Sequence, residues 1–420
     1  MSILTVAVPI FDSKMAVKAY RLSDHNTEFA LDVRGDFRGK EQGYHLFGLD
    51  AVQQIGLEPF SADLPLFVDV NSFHIVTGMA VNKSLPCDKL VLTLSAATAV
   101  DDKLIEGMSA VKELGYGFAV EGYPSEGYAS ALFDFADSFI LDYENDDFRE
   151  HLDGVQRHPD KKQVVIANLP SREAYTRYSV HKDALFTGSF YRGPVMEGEG
   201  DTSPLKVNAL RLLEEINEED FELQDISKIV EKDPSLSISL LRFINSDAVG
   251  LDNKVQSINS AVAILGQKEI RRWATVAISV GMSQDRPSEI TKVSLVRAKF
   301  AENLATVFSM GVFQDSLFMA GLFSMLDIIL DKPMEEAVQE VALNELVREA
   351  LVERKGKLSI VMDFIHAYER ADWNSVAIAL IENNLNGAEV AKAFTDALVW
   401  YHELLDSIDR IDEDSLDLST

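Results

Sequence analysis

Short apolar runs rich in β-branched residues alternate with stretches of helical spacing through the first half of the chain, and no other feature limits the fold as strongly. The runs cover residues 5–11, 66–70, 90–94, 117–120, 139–142, 163–167 and 184–186. Between them lie segments such as 102–114, where Leu104, Met108, Val111 and Leu114 recur along one helical face. Strand–helix units joined by short connections favour a parallel sheet. This many in succession, without a glycine-rich nucleotide fingerprint, point to a closed (β/α) barrel, with an open doubly wound sheet as the alternative.

The pattern changes after Glu197-Gly198-Glu199-Gly200-Asp201-Thr202-Ser203-Pro204, a polar, glycine-rich stretch with a proline where a new helix can begin. The expected organisation is a barrel over 1–196, a linker over 197–204, a helical domain over 205–405 and an acidic tail over 406–420 that frays. The fold class is therefore α/β followed by all-α. In the second half Asp233 caps a helix begun by Pro234, with Leu236, Leu240, Leu241 and Ile244 on one face. Another helix starts at Ser257 and stops at Gly266. The stripes Leu295, Ala298, Ala301, Leu304, Val307 and Leu343, Leu346, Val347, Leu351, Val352 are read as helix-packing faces.

The 420 residues exceed what one hydrophobic core serves, so two domains are expected. A formal charge of -29, from 68 acidic and 39 basic side chains, repels polyanions and argues against nucleic-acid partners. Cys87 is the only cysteine, which excludes an intrachain disulfide and suits a reducing cytoplasm. The first residues do not form a signal peptide, and no apolar run reaches spanning length. A cytoplasmic protein without membrane insertion is expected.

Val8-Pro9-Ile10-Phe11-Asp12, followed by Lys18-Ala19-Tyr20-Arg21-Leu22, resembles the opening of the EAL family, barrel enzymes that hydrolyse cyclic di-GMP. The resemblance implies a TIM-like barrel with divalent cations held by oxygen ligands at the strand ends. It also implies that this copy is degenerate. Arg21 stands where the family carries a metal-binding glutamate, and Asp69 replaces an asparagine ligand. Thr93 and Ser95 replace two glutamates, and Glu121-Gly122 replaces paired aspartates. Ile140 takes the place of the lysine that positions water, although Asp142 beside it is kept. The last glutamate falls near Pro170 and the late glutamine at Thr187. For the surviving carboxylates Asp69, Glu121 and Asp142, the alternative to metal binding is a role as helix caps or solvated loop residues.

Asp233-Pro234-Ser235-Leu236 with Leu241-Arg242-Phe243-Ile244-Asn245-Ser246, and Ser257-Ile258 with Ala261-Val262-Ala263-Ile264-Leu265-Gly266, resemble the HDOD domain. HDOD domains look like metal-dependent phosphohydrolases that have lost their ligands. Ser324 and Met325 stand where an active relative carries adjacent histidine and aspartate, within a helix expected over 320–327. Lys268, Arg271 and Arg272, beside Trp273, make a candidate cationic partner surface, weighed against a solvated helix start with a buried tryptophan. The eight histidines, His45 among them, include no pair at helical metal-ligand spacing. They are read as surface or satisfied core residues.

No catalytic, metal or cofactor site is expected. The reading is a non-catalytic signal-transduction adaptor acting through protein–protein contacts, with signalling proteins as partners. A receptor that binds cyclic di-GMP without cutting it is the alternative. A weak metal-dependent phosphodiesterase using Asp69, Glu121 and Asp142 ranks last. A homodimer is the assembly that the EAL resemblance suggests.

Overall fold

The computed structural model describes residues 3–26, 47–81, 85–124, 129–192, 211–212, 215–216, 221–232, 234–245, 255, 257–282, 288–330, 332–339 and 343–416. The expected linker 197–204, the cap Asp233 and His45 lie outside these residues. The chain divides into two compact units: Met1–Gly193 with His366–Lys392, and Pro194–Ile365 with Ala393–Thr420.

The first unit is a closed eight-stranded barrel with its strands in sequence order. They are β1 (Ile3–Phe11), β2 (Val17–Asn26), β3 (Leu66–Asp69), β4 (Leu90–Ser95), β5 (Gly117–Glu121), β6 (Ser138–Asp142), β7 (Gln163–Leu169) and β8 (Leu185–Gly188). Pairing of Phe11 with Phe186 closes β1 onto β8 and rules out the open sheet. One strand escaped the apolar runs. β2 carries Lys18, Arg21, Asp24 and His25, yet it buries Ala19, Tyr20 and Leu22.

The all-parallel expectation is corrected at β1, which runs antiparallel to both neighbours while β2 to β8 run parallel. The cause is local. Asp12 Oδ1 accepts hydrogen bonds from the amides of Lys14 at 2.8 Å and Ala16 at 3.0 Å, and so closes a turn too tight for a crossover helix.

Inward-facing Ile10, Ala19, Phe67, Ala119, Ile140, Val165, Ala167 and Leu185 fill the middle of the barrel. Helices cover its outside. The one over Asp102–Glu113 is capped by Asp101, whose side chain accepts from Leu104 N, and it buries Leu104, Met108 and Val111. Leu114 was expected on that face, but it follows the last helical turn as the C-cap and is half exposed.

Segment His366–Lys392 groups with the barrel, although the sequence reading gave 205–405 to the helical half. The buried Tyr368 hydroxyl donates to Thr5 O at 3.0 Å and accepts from Thr5 N at 3.2 Å. Trp373 Nε1 donates to Ser23 Oγ at 3.1 Å, its indole stacks on His25, and Glu369 lies 3.4 Å from Arg192. Far along the sequence, these residues complete the packing on β1 and β2.

The second unit is helical. Helix Pro234–Ile244 is followed by a segment Ile258–Met282 that breaks at Gly266, whose φ of 70° ends one helix and lets another begin. Helix Ser288–Val307 buries Leu295, Ala298, Ala301 and Leu304 as its stripe requires. Of the later stripe only Val347 is fully buried; Leu343, Leu346, Leu351 and Val352 are half-buried. Helix Gln314–Phe323 approaches Ser288–Val307 so closely that a Cβ on Gly321 would stand 2.7 Å from Ala298 Cα. Ser324 and Met325 follow that helix instead of lying within it. The last helix, Gly387–Leu416, continues into the segment expected to fray. No described helix is long and apolar enough to cross a membrane.

Candidate functional site at the barrel mouth

In a parallel barrel, alternate residues point inward, and the last inward positions of the strands surround one mouth. The register aligns Arg21 with Phe67, Ser95 with Glu121, Glu121 with Ile140 and Asp142 with Ala167. Arg21, Asp69, Thr93, Glu121, Ile140, Asp142 and Thr187 therefore share the inward parity of the core residues below them. Gly122 and Pro170 sit just beyond their strands, and Gly122 adopts a φ of 89°.

Arg21 organises the mouth. Its Nη2 lies 3.1 Å from both carboxylate oxygens of Asp69, and its Nη1 lies 2.8 Å from Glu121 Oε1. The Arg21 side chain is 19% exposed, whereas those of Asp69 and Glu121 are about half exposed at 52% and 49%. Burial works against the charge of Arg21, but the two carboxylates outweigh it and hold the guanidinium above its ordinary pKa. Asp69 is pushed up from the usual carboxylate range, first by burial and then by Glu121, against the opposing pull of Arg21.

The other positions contribute little charge. Asp142 Oδ1 accepts from Glu144 N at 2.9 Å, which makes it a loop cap. Ile140 is part of the apolar plug. Thr93 and Thr187 are buried with hydroxyls that have no hydrogen-bond partner among the described residues. Past Pro170, Ser171 caps the next helix by accepting from Ala174 N, and Glu173 bonds back to Ser171.

A divalent ion does not fit these residues. The carboxylates that could ligate it already grip a guanidinium. At about 4 Å from that fixed charge, a divalent ion is repelled by roughly 8 kcal/mol at an effective dielectric near 20. Among the described residues no three His, Cys, Asp or Glu side chains converge.

In the helical unit, Ser324 Oγ accepts from Arg297 Nη1 at 2.6 Å and donates to Gly321 O at 2.5 Å. Met325 is buried. Nearby Asp327 is pushed up by burial, with Oδ1 unbonded among the described residues. The three cations do not form one open patch. Arg272 is ion-paired with buried Glu302, Arg271 lies 5.0 Å over the Phe221 ring, and of the three only Lys268 is exposed. Trp273 is buried beneath them. His74 has a structural part: its ring accepts from Asn71 N in a reciprocal capping box.

Sequence reasoning named the mouth residues but not the ion-pair network, because pairing across β2, β3 and β5 depends on barrel closure. It also missed Ser23 and His25, although the period of two along β2 puts both on the face of Arg21. Trp373 left no local signal.

A family model described as "HDOD domain" matches residues 203–367. The chain is 26% identical over 420 residues to an uncharacterised protein of Bacillus subtilis, YuxH, covering 97% of this chain and 100% of that one. It is 24% identical over 399 residues to the cyclic di-GMP phosphodiesterase CdgJ of Vibrio cholerae, covering 94% and 91%. Among solved structures, the EAL domain of Pseudomonas aeruginosa FimX bound to cyclic di-GMP aligns with 48% of this chain and 94% of that one, at 14% identity and a TM-score of 0.34. The EAL-domain protein YkuI of Bacillus subtilis, in complex with cyclic di-GMP and calcium, aligns with 48% and 58%, at 14% identity and a TM-score of 0.35. The C-terminal part of the chain thus carries an HDOD domain, which follows the closed eight-stranded barrel in the sequence.

Proposed function

We propose that this chain is a non-catalytic signal-transduction adaptor that pairs a degenerate EAL barrel with an HDOD domain and acts through protein contacts. The observation that carries the reading is Arg21, which sits between Asp69 and Glu121 and uses both carboxylates. Phosphodiester cleavage of the metal-assisted kind needs those oxygens on cations that polarise the phosphoryl group and activate water. With Ile140 and Thr187 alongside, no described residue at the mouth replaces the missing base or electrophile. Alignment with the cyclic di-GMP phosphodiesterase CdgJ over 94% of this chain and 91% of that one supports a tie to cyclic di-GMP signalling.

Purified protein incubated with cyclic di-GMP and either magnesium or manganese is expected to give no linear dinucleotide above background. Turnover at any reproducible rate defeats the proposal. Size-exclusion chromatography with light scattering tests the homodimer, the assembly we propose for the adaptor.

A second reading keeps the barrel as a receptor for cyclic di-GMP, and the hydroxyls of Thr93 and Thr187 favour it. Buried donors without partners are costly, and a ligand that accepts their hydrogen bonds offsets that cost. Arg21 would then contact a phosphate. Calorimetric titration separates the readings: heat that saturates with one ligand per chain supports the receptor, and none leaves the adaptor alone.

A further inference from the structure

The barrel has a second mouth at the opposite end, which the proposed function does not use. There the strands begin, and the inward positions are small or polar: Gly117 starts β5, Ser138 starts β6 and Gln163 starts β7. A barrel interior is normally filled by bulky side chains in every layer. Here the lowest layer is left unfilled, and a cavity of about 570 Å³ opens below Phe67, Val91 and Leu185. That size lies within the range of roughly 300–1,000 Å³ typical of small-molecule sites.

The rim has the charges to choose an occupant. Asp12 is consumed by its own turn, accepting from Lys14 N and Ala16 N. Asp137 is consumed as well: Oδ1 faces Lys112 Nζ at 2.9 Å and Oδ2 accepts from Phe118 N at 2.9 Å. Lys18 is held only loosely, 3.6 Å from Asp12, with its side chain 53% exposed. Lys182 and Asp183 complete the rim.

The two lysines are neighbours by topology. The end of β1 pairs through Phe11 with Val17 of β2 on one side and Phe186 of β8 on the other. Lys18 and the turn bearing Lys182 therefore flank the end of the same strand.

We propose that this lower mouth binds a small amphipathic anion, an acyl or aryl carboxylate. Its head group lies between the ammonium groups of Lys18 and Lys182, and its hydrocarbon part lies against Ala19, Phe67, Val91 and Leu185. The apolar floor supplies burial and the paired ammonium groups supply the sign. Asp183 at the rim repels a second anionic group.

The test uses the full chain and the fluorescent anion 8-anilinonaphthalene-1-sulfonate. Saturable binding at one site per chain is expected, displaced by decanoate and not by decyltrimethylammonium at the same concentration. The Lys18→Glu/Lys182→Glu double variant should bind about tenfold more weakly, since two charge-assisted contacts become repulsive. Both lysines are at the rim, so the far-ultraviolet circular dichroism of this variant should match the parent. Ser138→Leu, which fills the cavity from β6, should weaken binding without changing any charge. Unchanged affinity in the double variant, equal displacement by the cationic amphiphile, or no saturable binding would each overturn the proposal.

Discussion

Arg21 Nη1 lies 2.8 Å from Glu121 Oε1, so a cation from β2 is held by a carboxylate three strands away, across the mouth of the barrel. The pair ties opposite walls together, and Asp69 completes it from β3. Arg21→Ala leaves two carboxylates facing each other with no cation between them. Because both are half exposed, the loss should be about 2 kcal/mol, below the 3–5 kcal/mol of a fully buried pair. The same variant should gain thermal stability from added manganese while the parent does not. Equal responses to manganese in the two proteins would mean that Arg21 is not what keeps divalent ions out.

Restoring the lost charge is not enough to restore chemistry. Arg21→Glu places a third carboxylate beside Asp69 and Glu121, but on the EAL resemblance Ile140 still fills the position of the water-positioning lysine and Thr93 and Thr187 still stand at ligand positions. The variant should remain without cyclic di-GMP hydrolysis, measured by chromatography of the linear product, while its melting temperature falls. Turnover on that single change would show that the other substitutions matter little.

Tyr368 is a second long-range tie, separated from Thr5 by 363 residues. Its hydroxyl serves both the amide and the carbonyl of Thr5 in a buried setting, and burial raises its pKa far enough to keep it protonated. Tyr368→Phe should cost about 2 kcal/mol in urea unfolding, because two buried backbone groups lose their partner. The change should leave the far-ultraviolet circular dichroism spectrum as it is. A midpoint equal to that of the parent would mean that water replaces the hydroxyl at no cost.

How far the sequence spoke depended on the range of the interaction. The apolar runs revealed seven of the barrel strands because burial on both faces leaves a local mark, as in Phe139, Ile140 and Leu141 of β6. β2 left none, since its charged residues point into the mouth or to solvent. The direction of its partner β1, a strand that the run at 5–11 had revealed, was hidden for another reason: Asp12 closes the turn through side-chain hydrogen bonds. The site positions were legible one by one from the EAL resemblance, but their mutual pairing was not. The return of 366–392 to the barrel rests on Tyr368 and Trp373, whose partners lie more than 300 positions away.

Gly188 should tolerate no side chain. Its φ of 145° belongs to a region that L-residues rarely adopt, and a Cβ there would sit inside the backbone of Leu169, to which it is paired. Gly188→Ala should destabilise by at least about 4 kcal/mol, in the tail reserved for broken backbone geometry. Gly78 is the control. It has a φ of 73° with nothing within 4 Å of the added atom, so Gly78→Ala should cost only about 1 kcal/mol. Similar losses at the two sites would show that conformational strain, not the contact with Leu169, governs both.

His25 should give the barrel unit a pH-dependent stability. Its ring stacks on Trp373, with centroids 5.7 Å apart and planes at 10°, and its Nε2 has no partner among the described residues. Burial lowers its pKa from the ordinary 6.5, so the folded protein favours the neutral ring. The unfolded chain then binds more protons in the window below that value. Stability is full above it and falls as pH drops through the folded pKa. Between about pH 7.5 and about pH 5, the parent should lose more stability than His25→Phe, which keeps the stacked ring but cannot titrate. Urea unfolding followed by tryptophan fluorescence reads the difference directly. Stability curves of parent and variant that run parallel across this window would show that the His25 proton is bound equally in the folded and unfolded chains.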